Sequence, residues 1–270
     1  MNQMTKIAVS SLSIYPVKSC REIIQPTSFV EDFGLQNDRR WMVVDKQGVM
    51  FTQRKISKMC LIQPELTNTG LILNAATSNS LAVDIPDQNN VRAVRVWDDT
   101  CQAFDAGDEA ANWLSQVLEK QCRLVYFPDN EFRQVDLAYA DKGDKTAFSD
   151  GFPLLLISQA SLDDLNQRIS SPITMNRFRP NIVVEGCEPF AEDGWKKIRI
   201  GEITFRIVKP CSRCVIPSIN IDTAEREEEP AKTLSTYRKR DKKIFFGQNV
   251  IAEATGPIKV GMSVEIVDYL

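Results

Sequence analysis

A chain of 270 residues, 43% hydrophobic and 26% charged, can bury one large core or two smaller ones, which excludes a disordered polymer. Its formal net charge of −3 and pI near 5.3 supply no basic field for non-specific nucleic-acid binding, so an anionic ligand must be met by locally placed cations. The count of zero histidines removes imidazole as base, metal ligand and proton shuttle, and with it any Ser-His-Asp triad, Cys-His pair or two-His metal site within these residues. Chemistry is left to carboxylates, thiolates, Lys, Arg, Tyr or a cofactor that brings its own reactivity.

The opening MNQMTKIAVSS lacks the apolar run of a secretory signal, and no stretch approaches the roughly 18 apolar residues of a membrane helix, so the expectation is a soluble, cytoplasmic protein with no membrane partner. Ile7 to Tyr15, Trp41 to Val44, Gly70 to Leu73, Leu81 to Ile85 and Val91 to Val96 read as short strands broken by Asp, Asn, Gly and Pro. The period then changes. In DEAANWLSQVLEKQ, Trp113, Leu114, Val117 and Leu118 share a helical face behind acidic Asp108 and Glu109, whose charges suit a helix start. The polar stretch from Pro128 to Asp150 reads as a linker or mobile loop.

Pro153 to Ile157 reads as a strand, and Ser158 is placed to cap a helix carrying Leu162, Leu165 and Ile169 on one side. Further strands are expected at Asn181 to Glu185, Ile198 to Ile200, Ile203 to Val208, Asn249 to Ala254 and Ser263 to Val267, with a short helix from Pro230 through Leu234 to Arg238. Strands and helices do not alternate regularly, and neither a G-x-G-x-x-G nor a P-loop pattern is present, so a doubly wound nucleotide fold is disfavoured.

The segment ITFRIVKPCSRC ends an alternating strand at Lys209 and Pro210, which places Cys211 to Cys214 on a turn at the edge of a sheet. Lys209 and Arg213 put positive charge beside the two thiols and favour thiolate, the nucleophilic and metal-binding form. A metal ligand, a redox pair and two incidental cysteines all remain open on these residues. The seven cysteines are scattered, and in a chain of this size reduced thiols are expected.

IYPVKSC from Ile14, SDGFPLLLISQASLDDLN from Ser149, FRPNIVVEGC from Phe178, KPCSRC from Lys209, and then TLSTYRK and FGQN, occur in an order that resembles the MOSC family. The similarity covers nearly the whole chain and is closest to two-part members, among them the mitochondrial amidoxime-reducing components and bacterial relatives. It implies an α+β, mainly β fold, with an N-terminal MOSC β-barrel module over residues 1–125 packed against a β-barrel MOSC domain over 126–270.

The resemblance also implies a molybdenum-pterin cofactor (Moco), with Cys214 as the protein's metal ligand and catalytic centre, a soft-ligand site that needs no histidine. Lys18, Ser19, Arg39, Ser149, Gly151, Arg179, Asn181, Ser212 and Arg213 match positions expected to hold the pterin and its phosphate, and Asp150 is a candidate proton donor. Arg40 stands where relatives often carry an aromatic. The implied activity is oxygen removal from N-hydroxylated compounds. Electrons would come from a separate flavin or iron-sulfur reductase, because the clustered C-x₄-C-x₂-C spacing of a plant-type iron-sulfur site is absent from these residues. The alternatives are a cofactor carrier or sulfur relay using Cys211 and Cys214, and, less favoured, a zinc or redox dithiol site, for which two cysteines are only half a ligand set.

Overall fold

The computed structural model describes residues 6–270, so the first five residues of the expected N-terminal module lie outside it. The first half contains β1 (Ala8–Ile14), β2 (Ile23–Gln25), β3 (Thr27–Glu31), β4 (Gly34–Leu35), β5 (Trp41–Val44), β6 (Gln63–Leu66), β7 (Gly70–Ala75), β8 (Ser78–Asp84), β9 (Val91–Val96), β10 (Asp99–Asp105), α1 (Gly107–Leu118) and β11 (Arg123–Tyr126). The second contains β12 (Leu154–Ser158), α2 (Gln159–Asn166), β13 (Ile182–Glu185), β14 (Trp195–Ile200), β15 (Ile203–Ser212), α3 (Ala231–Tyr237), β16 (Lys239–Arg240), β17 (Lys243–Ala252), β18 (Gly256–Lys259) and β19 (Val264–Tyr269). With three α-helices among the described residues, the fold is mainly β, as the sequence implies.

Strands β19, β14, β15, β17, β12, β13 and β1 pair in that order, and an antiparallel bridge between Ala8 and Ser263 returns the last to the first. Closure satisfies edges that would otherwise be open. Strand alternation sorts the side chains: Leu154 and Leu156 join Leu12, Ile14, Ile182, Val184, Phe205 and Val250 in one core, while Leu155 and Ile157 pack on the other face with Leu162 and Leu165 of α2. Each fully buried side chain of this size contributes about 1.5–3 kcal/mol relative to exposure. Ser158 caps α2 as expected, its Oγ accepting from the Ser161 amide at 3.2 Å.

The two halves exchange strands. β1 and β2 lie in the sheet of the second half, and β18 pairs with β3 of the first. The limit expected after residue 125 also falls inside β11, where Tyr126 pairs with Trp41. The rest of the first half forms β5-β11-β10-β9 and β6-β7-β8 around α1, whose Ala110, Leu114 and Leu118 are buried against Leu71, Leu73 and Val43.

Two expectations need correction. β15 does not stop at Pro210 but continues to Ser212. Its partner β14 reaches only Arg206, so Pro210 sits where β15 has β17 alone beside it, between register shifts at Ile207/Lys209 and Pro210/Ser212. A half-free, bulged strand needs no amide from proline there. Nor is the segment from Pro128 to Asp150 a loose linker, because Val135, Ala147 and Phe148 are buried and Arg133 donates to the carbonyls of Ala147 (2.9 Å) and Ser149 (2.6 Å). Its polar composition conceals a buried arginine whose Nε also binds Asp99 at 2.7 Å.

Candidate active site

Five segments converge on one cavity of about 140 Å³. Lys18 and Ser19 follow β1, Arg39 precedes β5, Ser149, Asp150 and Gly151 precede β12, Arg179 and Asn181 precede β13, and Ser212 ends β15 with Arg213 and Cys214 just beyond it. Every site residue expected from the sequence therefore lines the same space. A wider cleft of about 660 Å³ shares Asp150, Gly151 and Ser212 with it.

Three of these residues hold left-handed backbone without being glycine: Ser19 (φ 71°), Arg39 (φ 50°) and Arg179 (φ 59°). Such conformations cost about 1–3 kcal/mol each and persist where surrounding structure dictates them. Here Gln53 donates to the Ser19 carbonyl at 2.7 Å, and the Arg39 amide donates to the Tyr15 carbonyl at 2.9 Å. The buried Tyr15 ring is the common support, with the Arg39 guanidinium 4.6 Å and the Arg179 guanidinium 4.1 Å from its centroid. Burial disfavours the charge on Arg39, but the adjoining Asp38 carboxylate more than restores it. Asn181 is fully committed to protein: its Oδ1 accepts from Arg39 (3.1 Å) and the Leu155 amide (3.2 Å), and its Nδ2 donates to the Ser13 carbonyl (3.2 Å). It orients Arg39 across three strands.

Lys18 is 5% exposed and donates to the Phe148 carbonyl at 2.7 Å and to Asp150 at 2.5 Å. Burial brings its pKa down to about 8, with Asp150 opposing the fall. Desolvation pushes the Asp150 carboxyl upward, but Lys18, Arg54 and Arg39 outweigh it and hold the group well below the usual carboxylate range. Its side chain is half exposed and also accepts from Arg54 at 3.2 Å and Trp97 Nε1 at 3.3 Å. Asp150 is thus ionised at neutral pH and has no proton to give, which corrects its expected role as donor.

The positive charge expected beside both thiols goes to one of them. Arg213 Nη1 lies 3.1 Å from Cys211 Sγ, and its Nη2 donates to the Phe178 carbonyl at 2.6 Å. Both thiols are half-buried and line the cavity, and Cys211 also packs partly against the cluster containing Phe178 and Phe246. All seven thiols are free. Among the described residues no three Cys, Asp or Glu side chains gather as a metal cage, so the arrangement offers single thiolates.

The cavity wall carries five cations, Lys18, Arg39, Arg54, Arg179 and Arg213, against the single carboxylate of Asp150. Arg54 Nε, Arg179 Nη2 and Arg213 Nε are buried with no hydrogen-bond partner among the described residues. Buried donors are rarely left so, and a bound anion with several acceptor oxygens or nitrogens would satisfy them. The donor set therefore fits a phosphate-bearing, thiolate-ligated group.

Residues 6–121 match the MOSC N-terminal beta barrel domain and residues 143–265 the MOSC domain. Over 273 residues the chain is 36% identical to mitochondrial amidoxime-reducing component 1 of Mus musculus, spanning 94% of this chain and 80% of that protein. The corresponding protein of Homo sapiens is 36% identical over 274 residues (94% and 81%), and that of Xenopus laevis 34% over 275 (94% and 80%). The chain belongs to the MOSC family.

In this MOSC protein Arg40 turns away from the cavity, donating to the Phe127 carbonyl at 2.6 Å and Asp129 at 2.5 Å between the rings of Phe33 and Tyr126. Arg39 keeps its own partners, Asp38 and Asn181. Sequence reasoning missed Arg54, which looks like one more solvated cation in FTQRKISK, and it missed Trp97. Asn249 lay within the quoted FGQN, and its Nδ2 donates to the Lys209 carbonyl at 3.1 Å, bracing β15 just before the thiols.

Proposed function

We propose that this MOSC protein is an oxidoreductase that removes oxygen from N-hydroxylated compounds, hydroxylamines and amidoximes, with a molybdenum-pterin cofactor and electrons from a separate flavin or iron-sulfur protein. The observation that carries the reading is the convergence of Cys214 with a wall of cations, three of whose guanidinium nitrogens are buried and unpartnered. The names of its relatives as amidoxime-reducing components support the reaction class.

Bound here, the molybdenum centre would supply the two-electron chemistry, converting an N–OH group, two electrons and two protons into N–H and water. Cys214 Sγ would be the protein ligand that holds it. Arg54, Arg179 and Arg213 offer the free N–H donors for phosphate and pterin edges, and Lys18 Nζ adds a compact charge. Asn181 and Asp38 hold the Arg39 guanidinium in register. With Asp150 ionised and paired, protons would have to come from water, which the wide cleft lined by Ser212 admits.

The test is metal analysis of protein expressed in a host that makes the cofactor, for wild type, Cys214→Ala and Cys211→Ala, alongside benzamidoxime reduction driven by a small chemical reductant. Near-stoichiometric molybdenum and turnover should be lost in Cys214→Ala and retained in Cys211→Ala. Persulfide on Cys214 without molybdenum or turnover would support the carrier or sulfur-relay reading instead.

A further inference from the structure

β9 and β10 form a hairpin in which Val96 pairs with Asp99, so Trp97 and Asp98 are its two turn residues. Trp97 adopts φ 56°, at the turn position where glycine is natural because a Cβ is disfavoured there. A bulky aromatic in left-handed backbone is an outlier that asks for a reason. Fold stability does not provide one: glycine would relieve the turn, and the indole is 41% exposed.

The side chain is nevertheless held. Its Nε1 lies 3.3 Å from Asp150 Oδ1, and the Arg54 guanidinium sits 4.3 Å from the ring centroid. Both partners line the cation-rich cavity, so a hairpin of the N-terminal half delivers one aromatic surface to the mouth of the site. Trp97 lines the cleft of about 660 Å³, together with Phe152, Lys209, Cys211 and Ser212. Lys209 is itself fixed, its Nζ 3.7 Å from the Tyr139 ring centroid and 5.7 Å from that of Phe152. The cleft is thus lined by the thiol-bearing strand and by two flat rings, Trp97 and Phe152.

We infer that this outer cleft is the substrate pocket and that Trp97, with Phe152 as its second aromatic lining residue, selects planar conjugated N-hydroxylated substrates over small aliphatic ones. The inference takes the substrate's functional group from the proposed activity, but the selection for a flat hydrocarbon body rests on the cleft alone. A planar ring gains from stacking on an indole already oriented by Asp150 and Arg54, and a methyl group does not.

The experiment titrates the molybdenum-loaded protein by calorimetry with benzamidoxime and with acetamidoxime, and measures KM and kcat for both. Wild type should bind the aromatic compound about tenfold more tightly, since stacking beyond simple burial is worth about one such factor. Trp97→Gly suits the turn and should erase most of that preference, seen as a rise in KM for benzamidoxime relative to acetamidoxime, while Trp97→Phe keeps it. Phe152→Ala, which leaves the hairpin untouched, should lower the preference in the same direction and serves if Trp97→Gly misfolds. An unchanged preference in these variants, or equal loss for both ligands, overturns the inference. Absence of turnover by wild type would count against the proposed reaction, with the binding titrations still deciding the cleft.

Discussion

Two aspartates, Asp105 and Asp150, each gather cations, and the contrast between them separates structure from function in this molecule. Asp105 has a side chain with 0% exposure and accepts from Arg92 (2.8 Å), Arg123 Nε (2.5 Å), Arg123 Nη2 (2.7 Å) and the Gly107 amide (2.9 Å). Its acceptors are filled by the chain itself, locking β9, β10 and β11 to the start of α1. Asp150 is half exposed and shared by Lys18, Arg54 and Trp97, while donors of the neighbouring Arg54, Arg179 and Arg213 go unmatched. A closed network stabilises the fold; an open one waits for something else to complete it.

The largest test of that contrast is Asp105→Asn. It leaves Arg92 and Arg123 without their carboxylate and should cost about 3 kcal/mol or more, read as a lower urea midpoint. Asp150→Asn should cost less, because water reaches half of the Asp150 side chain and screens its pair with Lys18, whereas Asp105 is fully enclosed. Equal losses in the two variants would erase the distinction. The carboxyl of Asp105 is held below its ordinary value: burial opposes its charge, and Arg123, Gly107 and Arg92 overcome that. Its contribution is therefore present above about pH 4 and lost as pH falls through the folded value.

A second, intermediate effect concerns anion binding at the open site. With the Lys18 pKa lowered to about 8, sulfate affinity of the cofactor-free protein should fall as pH rises through that value, by about tenfold per pH unit above it if only the charged amine binds. Lys18→Arg should remove the step. The sign for stability is opposite: an unfolded lysine keeps its proton to about pH 10.4, so between about 8 and that value the unfolded state binds more protons and Lys18 adds stability with rising pH. The smallest effect is a shift. Removing the Asp150 charge takes away the main influence that raises the Lys18 pKa, so in Asp150→Asn the sulfate step should move to lower pH.

Much of this was legible in the chain. Periodicity located α1 and the barrel strands, Ser158 announced α2, and short motifs marked most of the residues that meet in the cavity, Arg54 being the cation they left out. What escaped depends on non-local pairing. Pro210 reads as a strand end until it is known that β14 stops short and leaves that stretch of β15 half free. Arg133 reads as part of a polar linker until Ala147 and Ser149 fold back over it. Trp97 reads as an exposed turn residue, since nothing local tells that Asp150, 53 positions away, will accept from its indole. Asp150 read as an acid because its cationic neighbours come from distant segments.

The barrel closes where β1, through Ala8, meets Ser263 beside β19. β1 has β2 beside it in sequence, but it pairs with β13 through Ala8 and Glu185 and bridges to Ser263, partners that lie far along the chain. Until β13 is made β1 has only β2 to pair with, and the final closure joins Ala8 to Ser263. Such long-range contacts slow folding and prolong exposure of a sticky edge. A circular permutant that places β1 after β19 would shorten that search, and the folding rate, rather than the native stability, is where the difference should emerge.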